Sequence, residues 1–265
     1  MLSSSNADAL PAATIRGERT TTLRVAAFKD DYLPSKAKTL TLIFPDDVAS
    51  QNSQAALDAG FPEKWGAATP DYGIDPNVIG PNDLFGGAYT SRFSESLKSV
   101  PTLSIVMDVD DLFDAKTGIY SNPSETGRAW ERPASVELIH SDGTPGFQID
   151  AGIRIYGGAS RGGSNKKSLR LEFRGEYGAT KLRYPFFGDG ATDKFDRLML
   201  RAGFNDSWVV TAGSTQYVRD MWTRDTHRLM GHASSHGEYM HVYINGQYWG
   251  LYNPSERPDV SFSTA

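Results

Sequence analysis

An α+β fold, rich in strands and holding one main helix, is what this sequence predicts. From Pro101 onward the chain runs in short alternating apolar/polar stretches broken by Gly, Asn, Asp and Pro, the pattern of half-buried strands. Only residues 216–230 offer a sustained helical spacing. There Tyr217, Met221, Trp222 and Leu229 are expected to face inward and Gly231 to end the helix. Asn245-Gly246 sits between two alternating runs, which marks a two-residue hairpin because a type I′ turn needs positive φ at both central residues.

Taken in order, residues 1–13 read as a disordered end. Residues 14–44 hold a β-hairpin (strands 21–28 and 38–44, turn Lys29 to Ser35), expected to be the edge of a larger sheet because two strands alone are marginal in water. Residues 45–100 turn rich in Asp, Asn, Gly, Pro and Ser and read as a connector with short helices at 48–59 and 91–98, wrapping on the next domain. Residues 101–265 form the compact domain, with strands at 101–108, 134–139, 148–156, 168–174 and 197–201, then the helix, then the terminal hairpin. A two-residue turn pairs Ile244 with Gln247, Val242 with Trp249, Met240 with Leu251 and His241 with Gly250. On that register Tyr239, Tyr243, Tyr248 and Tyr252 share one face, expected to be exposed as an apolar patch. A glycine in mid-strand, such as Gly250, marks close approach of a ligand or another backbone.

The 265 residues carry a formal net charge of -5, which excludes a general nucleic-acid binder with its basic footprint. No run approaches the roughly 18 apolar residues of a membrane span. The absence of cysteine removes disulfides, thiolate metal sites and cysteine nucleophiles. No leader of the secretory type follows Met1. Asp108, Asp110, Asp111 and Asp114 fail the calcium-loop spacing, with Phe113 where Gly is required, and are expected to cap and solvate. The five histidines show no metal-hydrolase spacing, and no Gly-x-Ser-x-Gly elbow occurs.

Two constellations can carry chemistry. Gln148 to Gly178 reads as two strands around Gly157-Gly158-Ala159-Ser160-Arg161-Gly162-Gly163-Ser164. Such a turn can form an amide nest for an anion, with Arg161 adding a fork of donors. Alternation puts Lys167 in phase with Leu169, Leu171 and Phe173, and Lys166 in phase with Ser168, so Lys167 is the phosphate-facing candidate. The alternative is a hairpin tip whose Lys167 reaches solvent. On the helix, Asp225 lies near the inward side and Asp220 on the flank. Asp225 could orient Lys167 through an ion pair; the alternative is a solvated i, i+4 ladder.

The runs DDLFDAKTGIYSNP, WERPASVEL, GIRIYGGASR, KKSLRLEFRGEYG, LRAGFNDSW and YINGQYWGLYNPSERPD resemble the spore coat protein H (CotH) kinase-like family. The resemblance implies a kinase-like small lobe with one main helix, truncated before its C-terminal catalytic lobe. It further implies ATP with Mg or Mn in the full-length parent, transfer to Ser/Thr of coat or secreted proteins, and a secreted or cell-surface parent. Carried onto this chain, Lys167 would hold ATP phosphates with Asp225 as its partner, and Arg161, Gly157 and Gly158 would cover them. Residues 251–256, ending at Glu256, would join the lobes and pass the adenine. The catalytic-base and metal-binding aspartates belong to the missing lobe, the expected partner, so this fragment is expected not to catalyse. TTLRVAAFKDDYLPS, Thr21 to Ser35, resembles closing strands of the immunoglobulin-like module of chitobiase C-terminal domains. That likeness, with Trp130, Trp208 and Trp249, keeps open a non-catalytic surface adhesion or carbohydrate-binding module.

Overall fold

The structure is a computed structural model that describes residues 19–207 and 215–257. The expectations for residues 1–13, Trp208, Pro258 and Asp259 lie outside the described residues. A hairpin comes first, β1 (Thr21–Val25) and β2 (Lys38–Leu42), followed by short helices α1 (Pro45–Val48), α2 (Ser53–Asp58) and α3 (Phe93–Ser96). Then come β3 (Thr102–Val106), α4 (Val109–Phe113), β4 (Arg132–Ile139), β5 (Gln148–Tyr156), α5 (Ser160–Gly163) and β6 (Ser168–Glu172). A two-stranded flap of β7 (Leu182–Arg183) and β8 (Lys194–Phe195) precedes β9 (Arg197–Arg201), α6 (Arg219–Leu229), β10 (Met240–Ile244) and β11 (Gln247–Ser255). The β-rich α+β class is observed. The helix expected over 48–59 is split in two, and that over 91–98 shrinks to a 3-10 turn and α3.

Seven strands close into a barrel in the order β10-β11-β9-β6-β5-β4-β3. Neighbours are antiparallel except β3 and β10, which close the barrel in parallel. Closure removes free edges. Ala151, Ile153 and Ile155 on β5, Leu169 and Leu171 on β6, and Leu198 and Leu200 on β9 are buried and fill the interior, as alternation requires. One end is packed by an aromatic cluster. Trp65 stacks on Phe113 at 5.9 Å and meets Tyr120 and Trp249 edge or tilted, while Phe61 and Tyr72 complete the set. Residues from 45–100 therefore contribute to the barrel's core.

Asn245 and Gly246 both have positive φ (49° and 84°), and Ile244 pairs with Gln247 as expected. Beyond that the register differs. Tyr243 still pairs with Tyr248, but a bulge then leaves Trp249 without a partner across the strand, so Val242 pairs with Gly250, His241 with Leu251 and Met240 with Tyr252. The turn fixes only the nearest pairs, and one extra residue shifts all the rest. The expected exposed tyrosine patch is corrected with it. Tyr252 enters the core and Tyr243 is buried, packed with Val48 and Leu97 and with Ile43, Ile74, Phe93 and Tyr248 beside them. His241, buried on the same hairpin, contacts the Ser96 carbonyl and the Tyr248 hydroxyl through its two ring nitrogens.

The N-terminal hairpin pairs as a separate two-stranded sheet. It docks through polar groups: Thr41 N–H donates to Glu137 Oε2 at 2.9 Å, and the Thr41 and Ser104 hydroxyls meet at 2.7 Å. On α4, Asp108 accepts from Asp110 N–H, and Asp114 takes the amides of Lys116 and Thr117, the capping role expected of these acids. Of the tryptophans, Trp249 lies in the aromatic cluster, and Trp130 is partly buried against the core with the Arg132 guanidinium 5.4 Å from its ring.

Candidate functional site: the outer face of the barrel under the main helix

The strand β5, the glycine-rich turn, and β6 form a continuous unit. Gly157 has φ 120°, and a Cβ there would fall 2.2 Å from the Ser160 hydroxyl, so the turn requires glycine. Gly158 has open space around its missing Cβ. Arg161 lies on the one-turn α5 and spends its fork on backbone carbonyls: Nε on Gly157 at 2.7 Å, Nη1 on Pro123 and Glu125, and Nη2 on Ile155 at 2.7 Å. The Lys167 amine donates to the Arg161 carbonyl. In this conformation both cations brace the turn.

Lys166 takes a different place. Its amine donates to the Leu251 carbonyl at 2.6 Å and lies 4.7 Å from the Tyr252 ring centre and 5.8 Å from that of Tyr217. Burial pushes its pKa down to about 8. The Lys166 amine also explains Gly250, where a Cβ would come within 3.1 Å of Nζ. The close approach expected at this mid-strand glycine is made by a side chain of the same protein.

Helix α6 packs on the outer face beside β9 and β11 with a polar underside. Its Asp220 bridges Arg201 on β9 at 3.2 Å and Arg224 on the next helical turn at 2.9 Å. Arg224 also donates to the His236 carbonyl at 3.2 Å and to the Asn253 side chain. Gly237 makes room for that guanidinium, since a Cβ would meet Arg224 Nη1 at 2.8 Å. Asp225 pairs with Arg228 instead, three residues along the same helix, and no ion pair joins it to Lys167 among the described residues. Two of the four expected inward positions are corrected as well, while Tyr217 lies near Lys166 and Met221 against Asn253. Trp222 and Leu229 are 67% and 89% exposed, because the face turned to the sheet is the charged one, with Asp220 and Arg224. Gly231 follows the helix with φ 82°, as expected of a C-terminal glycine.

Below Arg201 the outer face stays charged and largely covered. Glu172, 2% exposed, is held by Arg170 at 2.6 Å, Arg154 at 2.8 Å and Arg174 at 3.1 Å. Glu131 holds Arg174 at 2.9 Å. A buried carboxylate survives ionised only with such partners.

Between this face, α6 and the strand end lies a cavity of about 330 Å³ lined by Tyr156, Met199, Arg201, Arg224, Ser234, Ser235, Ser255, Glu256 and Arg257. Glu256 accepts from the backbone N–H of His236 and contacts its Nδ1, both at 2.8 Å. Of the sequence candidates, Glu256 lines this cavity, while Gly157, Gly158, Arg161 and Lys167 form the adjoining turn. Arg201 and Arg224 were not singled out from sequence, and Asp220 was placed only on the flank of the helix. Their signal was present: Arg201 is out of phase with the core residues Leu198 and Leu200, and Asp220 and Arg224 are four apart on one helix face.

Residues 153–265 match the protein family described as CotH kinase protein, and the expected resemblance is thereby shown over that stretch. It begins on β5 and takes in the glycine-rich turn, α6 and the terminal hairpin; residues 14–44 lie outside it. No curated protein matches the chain.

Proposed function

We propose that the barrel, whose C-terminal part carries the CotH kinase match, is the small-lobe half of an ATP-dependent protein kinase acting on Ser/Thr side chains. The observation that carries this reading is the Arg201–Asp220 pair. Protein kinases cover the phosphates with a glycine-rich turn, carry a phosphate-facing cation on the third strand, and pair that cation with an acid on the following helix. Here β5, the turn, β6, β9 and α6 follow in that order, and the cation on the third barrel strand of the series is Arg201. Lys167, Arg161, Gly157 and Gly158 then serve by shaping the turn, and Glu256 stands at the exit toward a second lobe.

The donors fit a phosphate chain. Arg201, Arg224, Ser234, Ser235 and Ser255 line the cavity. A bound ATP would supply the transferable γ-phosphoryl, with a divalent ion offsetting its charge. In this reading the carboxylates that hold the ion belong to the second lobe. The role of residues 1–265 in this reading is to bind and orient. Incubating the chain with γ-labelled ATP, Mg or Mn and a Ser/Thr protein should give no transfer. Robust turnover by residues 1–265 alone would end the half-site reading.

A surface adhesion or carbohydrate-binding module remains the second reading from the sequence. It has less support, because the packing of Trp249 and Trp130 described above is that of core and edge residues, not of an open sugar platform.

A further inference from the structure

We infer that the cavity beneath α6 selects its ligand by the polyphosphate and not by the base, with Arg201 and Arg224 as the selecting groups. This rests on the reading that the face takes a nucleotide, and it specifies which part of the nucleotide is recognised.

Two observations carry it. The first is the state of the strand end that would pass the base. One way in which a base is read is by hydrogen bonds to free backbone groups at a strand edge, and among the described residues both edges of this strand are used. On one side, Asn253, Pro254 and Ser255 pair with Arg201, Leu200 and Met199 of β9. On the other side, the segment before β10 lies along the same strand. Gly237 bridges Ser255, Glu238 N–H donates to the Pro254 carbonyl at 3.0 Å, and Glu256 N–H donates to the His236 carbonyl at 3.1 Å. Pro254 has no N–H to offer. The Glu256 carboxylate is turned back onto His236. Through Glu256 the strand therefore presents a base with shape and little hydrogen-bond information. Discrimination between two purines needs buried polar groups that go unpaired with the wrong one.

The second observation is the surplus of positive charge at the other end of the cavity. Arg201 and Arg224 share a single carboxylate, Asp220, so the trio carries one net positive charge. Arg224 is held in place from three directions, by Asp220, the His236 carbonyl and the Asn253 side chain, with Nε left over. A guanidinium held in this way pays little ordering cost on binding and sets a fixed positive charge beside the cavity. Ser234 and Ser255 line the same space.

The test is titration of the full 265-residue chain with ATP, GTP, inorganic tripolyphosphate and adenosine, followed by calorimetry. ATP and GTP are expected to bind within about threefold of each other, tripolyphosphate to compete with both, and adenosine to bind at least about tenfold more weakly than ATP. Arg201→Gln should weaken ATP, GTP and tripolyphosphate alike by about tenfold or more, with Arg201→Lys recovering part of the loss. Circular dichroism melts of each variant separate lost binding from lost folding. If Arg201→Gln unfolds the chain, the same comparison is made on Arg224→Lys. ATP binding that exceeds GTP binding by more than about tenfold, or that falls with Lys167→Met and not with Arg201→Gln, overturns the inference and leaves the nucleotide reading standing. Failure of ATP, GTP and tripolyphosphate to bind at all overturns both.

Discussion

The two faces of the β5-β6-β9 sheet are both withdrawn from water, and they use opposite chemistry to be so. Inside, Ile153, Leu171 and Leu198 are fully buried in a closed apolar core. Outside, Arg170 and Glu172 are 8% and 2% exposed, and they are held by ion pairs and, for Arg170, by the Tyr156 ring 5.7 Å away. Burial by itself therefore does not separate the two faces. The apolar face gains from leaving water. The charged face gains little net energy from its burial, because desolvation offsets attraction, and what it provides is fixed positions for cations.

The comparison can be broken most sharply by removing one group from each face. Glu172→Gln should destabilise the chain by about 3–5 kcal/mol, because it leaves Arg154, Arg170 and Arg174 crowded without their shared carboxylate. Leu171→Ala should cost about 2–5 kcal/mol through lost burial and a cavity. Urea unfolding of both variants gives the numbers. A Glu172→Gln cost under about 1 kcal/mol would show that the outer network is solvated in practice.

Lys166 offers a smaller, pH-dependent effect where the two environments meet. Its folded-state pKa, lowered to about 8 by burial, lies below the ordinary lysine value of about 10.4. Between these values the unfolded chain binds more protons than the folded one, so stability should rise as pH climbs from about 8 toward about 10. Above that range the buried tyrosines act in the opposite direction, since Tyr120 is pushed up to about 12 by burial and loses its stabilising proton difference only at higher pH. Denaturant titrations at about pH 7.5 and about pH 9.5 should show the gain in wild type and its absence in Lys166→Met. A gain that persists in the variant assigns the titration to another group.

The smallest effect is expected on the far side of α6. Trp222→Lys should change stability by no more than about 0.5 kcal/mol, because the ring lies outside the packed faces. A loss of about 3 kcal/mol, the scale of a buried aromatic, would mean that the helix is turned the other way.

Much of this architecture was legible in the sequence because it is local. The strands at Gln148–Tyr156 and Arg197–Arg201 fall where alternation put them, and both residues of the Asn245-Gly246 turn take positive φ. The buried identity of Leu169 and Leu171 follows from the period of a strand. The family resemblance was legible too, since short words in a fixed order survive without any knowledge of packing.

What the sequence could not decide was everything that depends on a partner distant along the chain. The bulge at Trp249 moves Tyr252 into the barrel, and residues 45–100 cover Tyr243; neither follows from the hairpin's own residues. The underside of α6 is charged because β9 offers Arg201 to it, which overrides the apolar spacing that pointed Trp222 inward. Lys166 and Lys167 are neighbours of the same type, separated only by what each meets: the Leu251 carbonyl for one, the Arg161 carbonyl for the other. Periodicity assigns a residue to a face using its own strand alone. Which face receives a helix, a covering loop or an opposing charge is fixed by contacts between distant segments, and those exist only once the barrel has closed.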